Sequence, residues 1–196
     1  MEELIQLDKD LLLYLHNLGS PTWDPFWLFM TEKFYQIPLY VVLLIFFFRY
    51  LGVKGTLITL LVVAALITAT DQFSSIAKNV LFQRPRPCRA VGVEEFMRSI
   101  EVYCGRFGYF SGHASSSMGL AFFTGLTLQH RLKYIFPFMV VWACIVSYSR
   151  IYLGVHYPAD VITGMVMGIL LGSAAYKLHG YLINRFTSYS HDEMKP

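Results

Sequence analysis

The stretch Gly55–Lys78, GTLITLLVVAALITATDQFSSIAK, decides the kind of fold this chain adopts. Its first half is almost wholly apolar and, continued to Phe82, is long enough to cross a bilayer. Its second half carries Thr68, Thr70, Asp71, Ser74, Ser75 and Lys78. Ionisable groups at such a depth face a bundle interior or a wet cavity and mark functional positions. The stretch therefore reads as a membrane-spanning helix whose later turns look into a polar centre. Asp71 and Lys78 lie seven apart on one face, and an internal ion pair is expected between them.

The rest of the chain agrees. Of 196 residues 55% are hydrophobic and only 15% charged, against about 25% charged in a soluble domain. A net charge of +3 gives no reason to expect nucleic acid. Leu4–Leu18 mixes Leu and Ile with acids and a lysine near a helical period. This reads as an amphipathic helix lying on the membrane surface or packed on the bundle, and as a further span if it inserts. No cleavable signal peptide is expected. Gly19-Ser20-Pro21 breaks the chain, and Trp23 and Trp27 suit an interfacial belt. Further spans are expected at 34–50, with Pro38 as a kink, then at 113–127, 134–148 and 158–182. Gly52 marks a tight turn, and Gly164, Gly168 and Gly172 form a close-contact stripe. The expected fold is all-α: a polytopic transmembrane bundle of five to six spans, one domain over 1–186, with a polar tail at 187–196.

With five spans, the turns around Arg49–Lys54 and His130–Lys133 share one side, which the positive-inside rule makes cytoplasmic. The opposite side carries a polar connection from Gln83 to Ser111 and most of the acids.

Three segments converge on that second side. The first runs from Lys78 through Arg84-Pro85-Arg86-Pro87. The second is Ser111-Gly112-His113, with Ser111 a good N-cap and free N–H groups behind it that bind anions. The third is Ser149-Arg150 through His156 to Asp160, with Pro158 suited to the first position of a helix. Taken singly these have plain structural readings: cations reaching toward headgroups, a helix cap, a buried histidine. Together they offer several cations, a helix N-terminus and two histidines, one with a carboxylate four residues on that can orient it. That is the equipment of phosphoryl transfer with a histidine nucleophile.

The three segments resemble the signature of the type-2 phosphatidic acid phosphatase superfamily: Lys-x6-Arg-Pro, Pro-Ser-Gly-His and Ser-Arg-x5-His-x3-Asp. The third matches in full. The second has Phe110 where the family usually has proline. The first departs in spacing, since Lys78 lies six residues before Arg84 and eight before Arg86. A local helix distortion is needed to bring Lys78 to the site. The resemblance implies that His156 forms a phosphohistidine, that Asp160 holds its tautomer, and that His113 protonates the leaving oxygen. It further implies that Lys78, Arg86, Arg84, Ser111, Gly112 and Arg150 hold the phosphate, with no metal and no cofactor. Cys88 and Cys104 bracket the acidic part of the outward connection, either as a disulfide or as two free thiols; Cys144 is expected in packing.

The expected activity is removal of a terminal phosphate from a lipid (pyro)phosphate in a bacterial inner membrane, with the site on the periplasmic, outer-leaflet side. Candidate substrates are polyprenyl pyrophosphate, phosphatidylglycerol phosphate, phosphatidic acid and a phosphorylated glycolipid, the first being favoured. The expected partners are this substrate and membrane lipids, with no nucleic acid; the sequence indicates no oligomeric state. A lipid phosphotransferase uses the same intermediate. An anion or lipid transporter would use the cations as a midplane site, but paired broken-helix repeats are missing. Soluble haloperoxidases with the same signature are set aside by the apolar spans.

Overall fold

At Gly52 the backbone takes φ 63° and ψ −172°, a region open almost only to glycine. This residue folds a 50-residue apolar segment, Lys33–Phe82, into two arms. Straight, that segment would measure roughly 75 Å at 1.5 Å per residue, far more than a bilayer core. Instead Leu43 and Phe47 of the first arm and Thr59, Val63 and Ile67 of the second line one cavity, so the arms lie side by side.

The structure, a computed structural model, describes residues 2–187. Helix α1 (Glu2–Asn17) is followed by α2 (Asp24–Thr31), a 3₁₀ turn at Lys33–Gln36 and the broken helix α3 (Ile37–Ile76). A π-helical turn at Ala77–Phe82 extends α3 and leads into the long connection. Then come α4 (Gly112–Leu128), α5 (Ile135–Tyr152) and α6 (Pro158–Phe186). Among the described residues three segments are long and apolar enough to cross a membrane: Lys33–Phe82, Ile135–Tyr152 and Pro158–Phe186. α4, at 17 residues, is the inner helix, with Met118, Phe123 and Leu128 buried among its neighbours. Ile45, Phe48, Leu61, Ile162 and Leu170 stay exposed on the outer faces, as side chains turned to lipid do.

The closest packing joins α4 to α6. Added Cβ atoms on Gly168 and Gly172 would collide with the carbonyl oxygens of Ser115 and Gly119. The expected glycine stripe is therefore a backbone-to-backbone seam. It brings the starts of α4 and α6, and with them two of the three sequence segments, to the same height.

α1 lies across the end of the bundle where those helices start. Leu12 and His16 are fully buried against it, with Leu12 packing on Ala114, Ile151, Tyr157 and Val161. Leu4, Leu7, Leu11, Tyr14 and Leu18, spaced along one stripe, remain exposed. α1 is thus both packed on the bundle and apolar outward, and with 16 residues it falls short of a span.

Four local expectations are corrected. Pro38 sits in the first turn of α3 and starts it rather than kinking it, because its missing N–H costs nothing there. Trp27 is no interfacial anchor: its ring stacks on Tyr152 at 5.1 Å, and Trp23 alone of the pair stays exposed. Cys144 lies exposed on the outer face of α5, not in packing. Asp71 and Lys78 do not pair, because α3 gives way to the π-turn between them and Lys78 turns toward α4. Of the expected tail, Thr187 closes the last turn of α6 and residues 188–196 lie outside the described residues.

A substitution at the seam tests this packing. Gly168→Ala is expected to lower stability in detergent by about 1–3 kcal/mol, the cost of overpacking, whereas Val166→Ala on the outer face of α6 should change it by less than about 0.5 kcal/mol. Thermal unfolding of the purified variants reads both.

Candidate active site

Two helix starts are tied together at the head of the site. The Ser111 N–H donates to the Asp160 carbonyl at 2.9 Å. Ser111 caps α4, its hydroxyl accepting the Ala114 N–H at 3.4 Å. The first turn of α6 is closed by Asp160, whose Oδ2 accepts the Tyr157 N–H at 3.1 Å.

The turn between α5 and α6 places the third segment. The N–H groups of Val155 and His156 both donate to the Arg150 carbonyl, at 3.1 and 3.3 Å. Arg150 and His156 are therefore fixed to each other through the backbone. His156 Nδ1 lies 3.6 Å from Asp160 Oδ2, with both side chains buried. Burial holds the His156 imidazole well below its ordinary basicity, and Arg86, Arg150 and Lys78 push it the same way. At neutral pH the ring is thus uncharged and keeps a free lone pair.

The cations come from three directions. Lys78 belongs to the π-turn, which takes one more residue per turn than an α-helix. That turn absorbs the extra residue between Lys78 and Arg86, and it is the distortion the spacing required. The Lys78 ammonium lies 3.5 Å from where a Gly112 Cβ would stand, against the start of α4. Arg86 is held by its Nε donating to the Phe107 carbonyl at 2.9 Å. Arg150 donates from Nη1 to the Thr31 hydroxyl at the end of α2, and its buried Nε has no protein partner. Among the described residues no carboxylate lies within ion-pair distance of Lys78, Arg86 or Arg150. Arg150 is buried, Lys78 and Arg86 are half-buried, and all three act on the charge of His156.

Lys78, Arg86, Gly112, His113 and His156 line one end of a cavity of about 880 Å³. It continues between the two arms of α3 and past α4 and α5, over Leu43, Phe47, Leu60, Leu120 and Val146. A charged head and an apolar slot thus share one space.

Of the expected phosphate-holding residues, Lys78, Arg86 and Gly112 line the cavity and Ser111, Arg150 and Arg84 do not, and Arg84 differs from the other cations in being ion-paired. Its guanidinium is taken by two carboxylates, Asp8 at 2.6 Å and Asp160 at 2.9 Å, and it lies outside the cavity lining. Two proline-flanked arginines look alike in sequence; the bend of the connection separates them, one toward the cavity and one behind Asp160.

Residues that sequence reasoning missed complete the site. A Cβ on Gly108 would stand 3.1 Å from Asp160 Oδ2 and 3.3 Å from the Arg86 side chain, so only glycine fits there comfortably. Thr31 and Asp8 come from helices without any signature residue; only an unexplained polar residue on an amphipathic helix could have pointed to Asp8.

Cys88 and Cys104 are joined in a disulfide that closes the connection. Next to it, Arg89 Nε donates to the Cys104 carbonyl at 3.1 Å, and Pro85 pairs with Phe107. The segment carrying Arg86 is therefore stapled to the segment that holds it.

Comparison with known proteins follows this geometry. The family model described as PAP2 superfamily matches residues 56–184. Lipid A 4′-phosphatase of Bacteroides thetaiotaomicron is 32% identical over 192 residues, covering 96% of this chain and 84% of that protein. The protein of the same name from Porphyromonas gingivalis is 28% identical, covering 97% and 80%. An undecaprenyl-diphosphatase of Sulfolobus acidocaldarius is 41% identical over only 64 residues, 32% of this chain and 29% of that one. In fold, the chain resembles a PAP2-type phosphatidylglycerolphosphate phosphatase from Bacillus subtilis, with TM-score 0.72 and 21% identity over 96% of this chain and 90% of that one. It also resembles LpxE of Aquifex aeolicus, with TM-score 0.59 and 24% identity over 86% and 93%.

Thiol counting tests the staple. Denatured protein from the native membrane should take up one maleimide per chain, at Cys144, before reduction and three after it. Three before reduction would show the connection open.

Proposed function

The chain belongs to the PAP2 superfamily and is a membrane-embedded lipid phosphatase; from that premise we propose that it removes the 4′-phosphate of lipid A, or of a glycolipid built like it, through a phosphohistidine at His156. One observation carries the reading: Lys78, Arg86 and Arg150, none of them ion-paired among the described residues, stand around a neutral, buried imidazole that lines one end of a largely apolar cavity.

His156 Nε2 attacks phosphorus while the bond from phosphorus to the sugar oxygen breaks. His113 gives a proton to that oxygen, and the lipid alcohol leaves. Asp160 faces Nδ1, keeps the proton there and steadies the charge that develops on the ring. His113 then takes a proton from water as the water oxygen attacks phosphorus, the phosphorus–nitrogen bond breaks and inorganic phosphate departs. Lys78, Arg86, Arg150 and the first N–H groups of α4 spread the charge on the equatorial oxygens. These groups supply the positive charge, so the reaction proceeds without a metal.

Coverage guides the choice of substrate. The lipid A phosphatases match over nearly the whole chain, whereas the undecaprenyl-diphosphatase matches over a third of it. The pyrophosphate reading, favoured from the family resemblance, is therefore ranked second to a glycolipid monoester, whose acyl chains would lie along the apolar slot. With five crossings, counting both arms of α3 and α4 among them, the site and the disulfide share one side of the membrane, which we read as the outer leaflet of an inner membrane. The disulfide beside the site suits an oxidising compartment. The basic turns at Arg49–Lys54 and His130–Lys133 suit the cytoplasmic side.

The test is phosphate release by purified protein in detergent with excess EDTA, from lipid A, undecaprenyl pyrophosphate, phosphatidylglycerol phosphate and phosphatidic acid. Lipid A is expected to be cleaved fastest, and His156→Ala to lower the rate on the order of 10³-fold or more. Preference for the pyrophosphate would overturn the substrate, and a working His156→Ala the intermediate. Loss in EDTA restored by Mg²⁺ would overturn the metal-free reaction, and phosphate found on a second lipid would make the enzyme a transferase.

A further inference from the structure

Arg84 joins two carboxylates that lie 76 residues away on either side of it. Its Nη1 donates to Asp160 Oδ1 at 2.9 Å and its Nη2 to Asp8 Oδ2 at 2.6 Å. The guanidinium plane lies over the Tyr157 ring, 3.7 Å from its centroid, which fixes its tilt. The other oxygen of Asp8 accepts the Ala159 N–H at 2.9 Å, so α1 also caps the start of α6. Asp8 is only 11% exposed and Asp160 not at all.

This arrangement settles how Asp160 shares its two oxygens. A lone arginine beside a carboxylate favours a bidentate fork that occupies both oxygens. Here Asp8 holds one end of the fork, so Arg84 reaches Asp160 through Oδ1 alone. Oδ2 is left for the Tyr157 N–H and for His156 Nδ1. A side chain at position 108 would crowd the same oxygen, since a Cβ there would stand 3.1 Å from Asp160 Oδ2.

We infer that Asp8 and Arg84 are positioning residues for the nucleophile, acting through Asp160, and that Arg84 does not hold the phosphate. The inference rests on His156 being the attacking group. It gives α1 a part in the reaction: a surface helix supplies the charge that keeps the carboxylate behind His156 in its working orientation.

The experiment is steady-state kinetics on the substrate found best in the lipid panel, with orthovanadate inhibition as a measure of the phosphate site. The variants are Arg84→Gln, Asp8→Asn, the double variant, Arg86→Gln and His156→Ala. Arg84→Gln and Asp8→Asn are each expected to lower kcat roughly tenfold, the scale for removing a group behind a catalytic ligand. KM and the vanadate inhibition constant should stay within about twofold. The double variant should be no worse than Arg84→Gln, because Asp8 acts through Arg84. Arg86→Gln should instead weaken vanadate by an order of magnitude or more. Weakened vanadate with unchanged kcat in Arg84→Gln would restore Arg84 to the phosphate site and overturn the inference, as would full additivity in the double variant. Asp8→Asn keeps an oxygen for the Ala159 N–H, so it separates lost charge from lost folding; wild-type kcat in a folded Asp8→Asn would also overturn the inference. Activity remaining in His156→Ala would instead remove the phosphohistidine itself, a result distinguishable from all of these.

Discussion

Lys78, Arg86 and Arg150 are held close together, Arg150 buried and the other two half-buried, with no carboxylate at ion-pair distance among the described residues. Like charges in such a place repel strongly and lose their hydration, so an unsupported chain would let them swing apart. The structure depends on holding them there. The same positive charge is what the proposed phosphate site would use.

Each cation is fixed by a different device, and each device is backbone-based. Lys78 rides on a π-turn, Arg86 is pinned to the Phe107 carbonyl in a loop closed by a disulfide, and Arg150 shares a turn with His156. Behind them the glycine seam brings α4 and α6 so close that the Ser111 N–H reaches the Asp160 carbonyl. Side chains on that seam would separate the two helix starts, and His113 and His156 with them. Stability and chemistry therefore depend on the same contact.

The acidic side of the site is arranged with equal economy. Asp160 stands behind His156, and Asp8, on the surface helix, holds the other end of the Arg84 guanidinium. Lys78, Arg86 and Arg150 have no ion-pair partner among the described residues, while Arg84 has two.

Much of this was legible from residues alone. The apolar run with polar later turns announced a membrane bundle, and Gly52 its reversal, because spanning length and left-handed backbone are local properties. That His113, His156, Asp160, Arg86 and Arg150 come together was legible because their segments sit at helix starts and ends whose spacing is local. Lys78 was legible only as a difficulty, since a π-turn is not written in composition. The difference between Arg84 and Arg86 and the parts of Asp8, Thr31 and Gly108 were decided only in three dimensions. Each depends on which distant backbone it meets once the connection bends and α1 lies across the bundle, and no spacing along the chain encodes that meeting.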